Sequence, residues 1–195
     1  MWKFAIYCGR FQPPHRGHLE SVKSGLKIAK KVCIGVRTTR LSIKDPLTAV
    51  ERIEIWKELL KHEGILDRVI VKPIPDFDKG YGIPQEDKVV LKGHPLLRWA
   101  RTVENIFNAS PEDSVFIGNK PPMVIAFNLL GYVVFPGHRN AHRLIEVSAT
   151  ELREMIIRGD ERWINMLPKP VANYLLKLEI RERLLSLANM EHILR

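Results

Sequence analysis

Short apolar runs alternate with amphipathic stretches along most of this chain. Residues 3–8 (KFAIYC) have the length and composition of a strand, and 17–30 carry Leu19, Val22, Leu26 and Ala29 at helical spacing. A second strand is expected over 31–36 and a second helix over 48–60. There Thr48 is a candidate N-cap and Glu51 completes a capping box. A third strand over 68–74 is shortened by Pro73 and followed by a Gly- and Pro-containing loop, 76–95. That loop is long for a compact domain and suggests a lid or partner surface. Beyond it the pattern predicts a helix over 96–107, a strand over 114–118, a helix over 122–130 and a strand over 132–135. From Ser148 the chain turns helical, with breaks around Gly159 and Pro168. Five strands alternating with helices imply an α/β fold: a parallel five-stranded sheet with a helical C-terminal extension. We expect one domain over 1–195, with a core over 1–146 and the helical part over 147–195.

Composition adds constraints. The chain has 195 residues, 45% hydrophobic and 27% charged, within the range of globular proteins. No apolar run approaches the roughly 20 residues that span a bilayer. Met1 leads into a strand-like segment instead of a charged-then-apolar leader, so a cytoplasmic location is expected. Cys8 and Cys33 fall at the ends of apolar runs and read as buried thiols. The excess of 31 basic over 22 acidic residues gives a net charge of +9. It fits nucleic acid, a phosphorylated small substrate or a charge-rich thermostable surface, and its even spread does not choose among them.

The stretch GRFQPPHRGH, residues 9–18, narrows the choice. It follows the first strand, where ligands of open α/β sheets bind when the connection direction switches. Gly9 allows close approach to the backbone, and Pro13 and Pro14 keep the loop extended and delay the helix. Gly17 and His18 open that helix, whose free amides and positive dipole end favour an anion. His15 and His18, three residues apart, can reach one phosphate, and Arg10 adds a fixed cation. The stretch contains no acid. Ordinary helix-cap histidines are the bland alternative, but the strand before, the helix after and the acid-free loop favour a phosphate site. A second such place is Ser148-Ala-Thr150-Glu-Leu-Arg153, where Ser148 or Thr150 can cap a helix and Arg153 lies one turn in.

Gly-Arg-Phe-Gln-Pro-Pro-His-Arg-Gly-His resembles the signature of the His-x-Gly-His nucleotidyltransferases, and more narrowly the archaeal type of nicotinamide-mononucleotide adenylyltransferase. The stretches 44–56 (KDPLTAVERIEIW), 117–134 and 147–168 fit the same family in order, so the resemblance spans nearly the whole chain. It implies a Rossmann-like sheet with helices on both faces. It also implies an enzyme that joins nicotinamide mononucleotide to the AMP part of ATP, releasing pyrophosphate, with Mg²⁺ accompanying ATP. No clustered carboxylates accompany the phosphate-facing motifs, so the ion is expected to be held largely by phosphates and water, with no protein ligand assigned.

The resemblance makes His15, His18, Arg10 and Arg153 the catalytic candidates. Gly9, Phe11 and Gln12 of the loop, with Ser148 and Thr150, become substrate-binding candidates, and the Ser-x-Thr-x-x-Arg pattern is similar to the segment that holds ATP phosphates. Arg52 is a further cation, alternatively a helix-surface residue pairing with Glu51 or Glu54. Asp76 and Asn119, at strand ends, could contact the mononucleotide or cap turns. Trp99 stands in the interval where archaeal-type members carry a tryptophan and could stack on nicotinamide; Tyr81 competes for that role, and burial in the core is the alternative. Three features depart from the family: Gly35-Val-Arg37-Thr-Thr-Arg40 replaces a Gly-Ser-Ala-Gln, Glu154 stands where a second arginine is common, and the loop after Phe77 is longer. Alternatives are a sister transferase for nicotinic acid mononucleotide, FMN or phosphopantetheine, and a nucleic-acid-binding module. The last lacks the interleaved aromatics of single-strand binders. Family members that form hexamers imply that this chain is a homo-oligomer.

Overall fold

The computed structural model describes residues 1–77, 93–137 and 149–193. Its strands are β1 (Trp2–Gly9), β2 (Ala29–Thr38), β3 (Val69–Pro75), β4 (Ser114–Ile117) and β5 (Val133–Phe135). Helices α1 (Arg16–Ile28) and α2 (Ala49–His62) follow β1 and β2; α3 (Pro95–Phe107) and α4 (Pro121–Leu129) flank β4. Four more close the chain: α5 (Ala149–Arg158), α6 (Trp163–Met166), α7 (Lys169–Lys177) and α8 (Ile180–Ile193).

The strands form one sheet in the order β3-β2-β1-β4-β5, every neighbouring pair parallel. Alternate residues of each strand face opposite sides, so each central strand feeds two cores. Ala5, Val32, Ile34 and Val115 pack with Val22 of α1 and Trp56 and Leu59 of α2. Ile6, Cys33 and Phe116 pack on the other face with Leu96 and Val103 of α3 and Phe127 of α4. Burial on both faces explains why these strands read as continuous apolar runs.

Thr48 caps α2 as the sequence suggested, its hydroxyl accepting from the Glu51 amide at 3.2 Å while Glu51 Oε2 accepts from the Thr48 amide at 2.8 Å. The C-terminal helices do not stand apart from the sheet: Trp163, Val171, Leu175 and Leu184 belong to the same core as β1 and α2. Arg183 of α8 donates to Glu51 Oε1 at 2.7 Å and to the Pro46 carbonyl at 3.4 Å, fastening the extension to the segment before α2. The break between α7 and α8 falls at Glu179, φ 49°. No glycine or proline marks it, so sequence pattern had no means of finding it. Among the described residues, no helix is long and apolar enough to cross a membrane.

Candidate active site

In this strand order, the connection from β1 leads one way to β2 and β4 lies on the other side, so a crevice opens at the carboxyl ends of β1 and β4. A cleft of about 730 Å³ occupies that position. It is lined by Gly9, Arg10, Phe11, Gln12, His15 and His18 from the β1–α1 segment and by Asn119 and Lys120 after β4. Thr150 and Arg153 of α5 complete the wall. Two anion-seeking segments separated by about 130 residues in sequence therefore share one space.

The two histidines cap the helix and each other. His15 is the N-cap of α1; its Nδ1 accepts from the His18 amide at 3.4 Å, and His18 Nδ1 accepts from the His15 amide at 3.3 Å. Their rings stack with centroids 3.5 Å apart. Because each Nδ1 is an acceptor, each neutral ring carries its proton on Nε2. The helix-cap reading is thus met by the Nδ1 atoms of both rings. Burial, followed by the neighbouring His15 and Lys120, holds His18 well below the ordinary histidine value, so His18 is a neutral donor.

Phe11 braces this arrangement. Its backbone sits at φ 51°, in the region a bulky residue rarely adopts, and its ring packs edge-on against His18 at 4.9 Å and Trp56 at 5.3 Å. A Cβ on Gly9 would come within 2.7 Å of that ring, which is why only glycine fits there. Gln12 is 7% exposed and its amide is spent on the scaffold: Oε1 accepts from Leu47 N at 3.0 Å and Nε2 donates to Leu47 O at 2.9 Å. The pair mimics one rung of a sheet, tying the loop to the segment before α2.

Arg52 corrects both sequence readings of it. It is neither on the helix surface nor in the cleft lining, but fully buried, donating to the carbonyls of Arg10 and Thr48 and to Thr39 Oγ1. Burial, partly offset by Asp45 and Asp76, pulls its guanidinium down to about 10. It supports the β1–α1 loop through the Arg10 carbonyl. Asp76 accepts from Arg37 Nε at 2.5 Å and from the Phe77 amide at 3.0 Å. Arg37, one of the departures from the family pattern, is 5% exposed and lies 3.9 Å over the Phe77 ring. Trp99 is a second correction. It is 5% exposed, its Nε1 donates to the Pro75 carbonyl at 2.7 Å, and Phe77 and Phe127 pack against its ring. Little indole face remains for a ligand, because the apolar stripe of α3 turns it into the core. Tyr81 and Ser148 lie outside the described residues.

The sequence reading overlooked Asp45 and Lys120. Asp45 brings a carboxylate to the acid-free loop, its Oδ2 accepting from Arg10 Nη1 at 3.1 Å. Lys120 is the N-cap of α4 and lines the cleft from the β4 side. Both stand beside prolines, Pro46 and Pro121, which fix a strand-to-helix corner; that was the available signal. Cys8 and Cys33 are free, buried thiols.

The model of the cytidylyltransferase-like family matches residues 6–155. The nicotinamide-nucleotide adenylyltransferase of Pyrobaculum aerophilum is 34% identical over 93% of this chain and 92% of its own. That of Saccharolobus solfataricus is 31% identical over 92% and 93%. Among solved structures, a bifunctional NMN adenylyltransferase/ADP ribose pyrophosphatase from Francisella tularensis, complexed with AMP and a manganese ion, superposes with TM-score 0.67 at 22% identity. It covers 99% of this chain, which spans about half (54%) of that longer protein. With the cleft at the switch point, the paired histidines in its lining and relatives that match more than nine-tenths of its length, this chain belongs to the cytidylyltransferase-like family and, within it, to the nicotinamide-nucleotide adenylyltransferases.

Proposed function

We propose that the protein transfers the adenylyl group of ATP to nicotinamide mononucleotide, giving NAD and pyrophosphate. The observation that carries this reading is the convergence of the His15–His18 pair, Arg10, Lys120 and the Thr150–Arg153 turn on one cleft. A phosphate oxygen of the acceptor attacks the α-phosphorus of ATP. The new O–P bond forms as the bond from the α-phosphorus to the α,β-bridging oxygen breaks, and pyrophosphate leaves with that oxygen and the electron pair. The attacking phosphate is already largely ionised at neutral pH, so no general base is needed. The protein's task is alignment and stabilisation of charge on the phosphoryl oxygens.

His18 suits that task as a neutral Nε2–H donor. Its Nδ1 is held by the His15 amide and its ring by Phe11, so it requires little reorganisation when charge develops. Arg10 supplies a cation whose present partner is Asp45. Arg153 lines the cleft, its Nη2 donating to Thr150 Oγ1 at 3.3 Å, and in this reading it meets the triphosphate. A divalent ion, Mg²⁺ with ATP, would neutralise phosphate charge. Asp45 and Glu154 are the carboxylates among the described lining residues, and no group of three or more metal-binding side chains converges among those described. That donor set fits an ion carried mainly by phosphates and water.

The test offers purified protein ATP, Mg²⁺ and a panel of acceptors, and measures pyrophosphate release. Nicotinamide mononucleotide should be the preferred acceptor. Turnover with nicotinic acid mononucleotide, FMN or phosphopantetheine and none with nicotinamide mononucleotide would overturn the assignment.

A further inference from the structure

The cations around the cleft are not equally committed. Arg10 pairs with Asp45, Arg37 with Asp76, and Arg153 bonds Thr150. Lys120 has no such partner among the described residues, and the charges acting on it are those of Arg10 and Arg37. Although the residue is exposed at the rim, packing around its ammonium and those two like charges hold it below the ordinary lysine value. A cation in cationic surroundings is an incomplete arrangement until an anion arrives.

The helix behind Lys120 cannot supply that anion's other donors. Positions N1 and N2 of α4 are Pro121 and Pro122, which have no N–H, and the amides of Met123 and Val124 both bond the Lys120 carbonyl at 3.1 Å. Any anion at this end of the cleft is therefore met by a side chain, not by helix amides. The position is also distinct from the other phosphate-facing wall. Leu152 and Ile156 anchor α5 on one face of the sheet, whereas Met123 and Phe127 anchor α4 on the opposite face. Two walls suit a reaction that brings two phosphorylated substrates together, and the pattern around Arg153 resembles the one that holds ATP.

We propose that Lys120 holds the 5′-phosphate of the acceptor mononucleotide, the group that attacks ATP. This rests on the adenylyl-transfer reading. The other charged side chains and the histidines of the described cleft lining are Arg10, His15 and His18 from the β1–α1 segment, Lys44 and Asp45 from the segment before α2, and Arg153 and Glu154 from α5. Buried Arg37 of β2 acts on Lys120 through its charge. Binding of the phosphate favours charged Lys120, so the acceptor binds with proton uptake above the pH at which free Lys120 begins to lose its proton.

The experiment compares wild type with Lys120→Gln and Lys120→Arg. Lys120→Gln should raise the acceptor KM by about 10- to 100-fold, the range of a lost hydrogen bond to a charged group, and leave the ATP KM nearly unchanged. Lys120→Arg should restore most of the acceptor affinity. Wild-type kcat/KM for the acceptor should decline at alkaline pH below the ordinary lysine range of about 10.4, and Lys120→Arg should remove that decline. An ATP KM that rises instead, or an acceptor KM that does not move, overturns the proposal. Calorimetry with ribose 5-phosphate separates this from the acceptor's identity. Binding that is lost in Lys120→Gln supports the site even if nicotinamide mononucleotide is not turned over. Equal binding by both proteins refutes it.

Discussion

Arg10 Nη1 and Asp45 Oδ2 lie 3.1 Å apart although 35 residues separate them in the chain. The contact places a carboxylate, its side chain 11% exposed, against the cation best placed to meet a substrate phosphate. In the proposed reaction Asp45 competes with the substrate phosphate for Arg10. Asp45→Asn removes both the competitor and a like charge facing the triphosphate. ATP should bind about three- to tenfold more tightly, as read by titration calorimetry. Weaker binding would mean that orienting Arg10 outweighs competing for it.

In the proposed mechanism the His18 imidazole, held by the His15 amide and Phe11, donates to charge that grows during transfer. His18→Ala should lower kcat by ~10²–10³ and change the ATP KM much less. Steady-state kinetics at saturating acceptor checks this. A rise in KM with kcat intact would make His18 a ground-state contact only.

The same residue couples stability to pH. Folded His18 is held well below 6.5, mainly by burial, so at mildly acid pH the unfolded chain binds a proton that the folded chain refuses. The stability associated with neutral His18 is fully present above about 6.5 and is lost as pH falls towards the folded value. The wild-type Tm should therefore drop more steeply on acidification below about 6.5 than that of His18→Gln. Parallel Tm–pH curves would show that another group governs the transition.

Trp99 is buried among Phe77, Phe127 and the α3 stripe. Trp99→Ala should destabilise the fold by about 3–5 kcal/mol, the usual range for deleting a large core aromatic. The melting temperature should fall by about 6–20 °C. Acceptor KM measured well below the new Tm should change little. A raised KM with intact stability would return the indole to a stacking role.

Arg52 serves three oxygens on separate segments, the carbonyls of Arg10 and Thr48 and Thr39 Oγ1. A lysine cannot reach all three from one ammonium. Arg52→Lys should cost about 1–3 kcal/mol of stability in denaturant unfolding, with a buried carbonyl left unmet. It should lower kcat more than it raises the ATP KM. A selective loss of ATP affinity would instead make Arg52 a phosphate ligand.

The order of residues was enough to specify the α/β alternation, the Thr48–Glu51 cap and the position of the Gly9–His18 loop between β1 and α1. Each is local or periodic: burial on both sheet faces writes apolar runs, helix caps need particular side chains three residues apart, and Gly9 must precede Phe11. The pairing of the loop with α5 followed from resemblance, since nothing in sequence spacing brings residue 10 to residue 153. The roles of Asp45, Arg52, Trp99 and Lys120 arose from folding. An arginine in TAVERIE reads the same whether it meets solvent or three oxygens, and burial at Arg52 depends on where β1, β2 and α2 cross. Trp99 likewise lies on a stripe that fits core and ligand equally, until packing of α3 against the sheet turns its indole inward. Lys120 acquires its meaning from Arg10 and Arg37, cations far away in the chain whose charges the parallel strand order brings to bear on it. Contacts of that kind depend on topology, which a one-dimensional pattern constrains but does not contain.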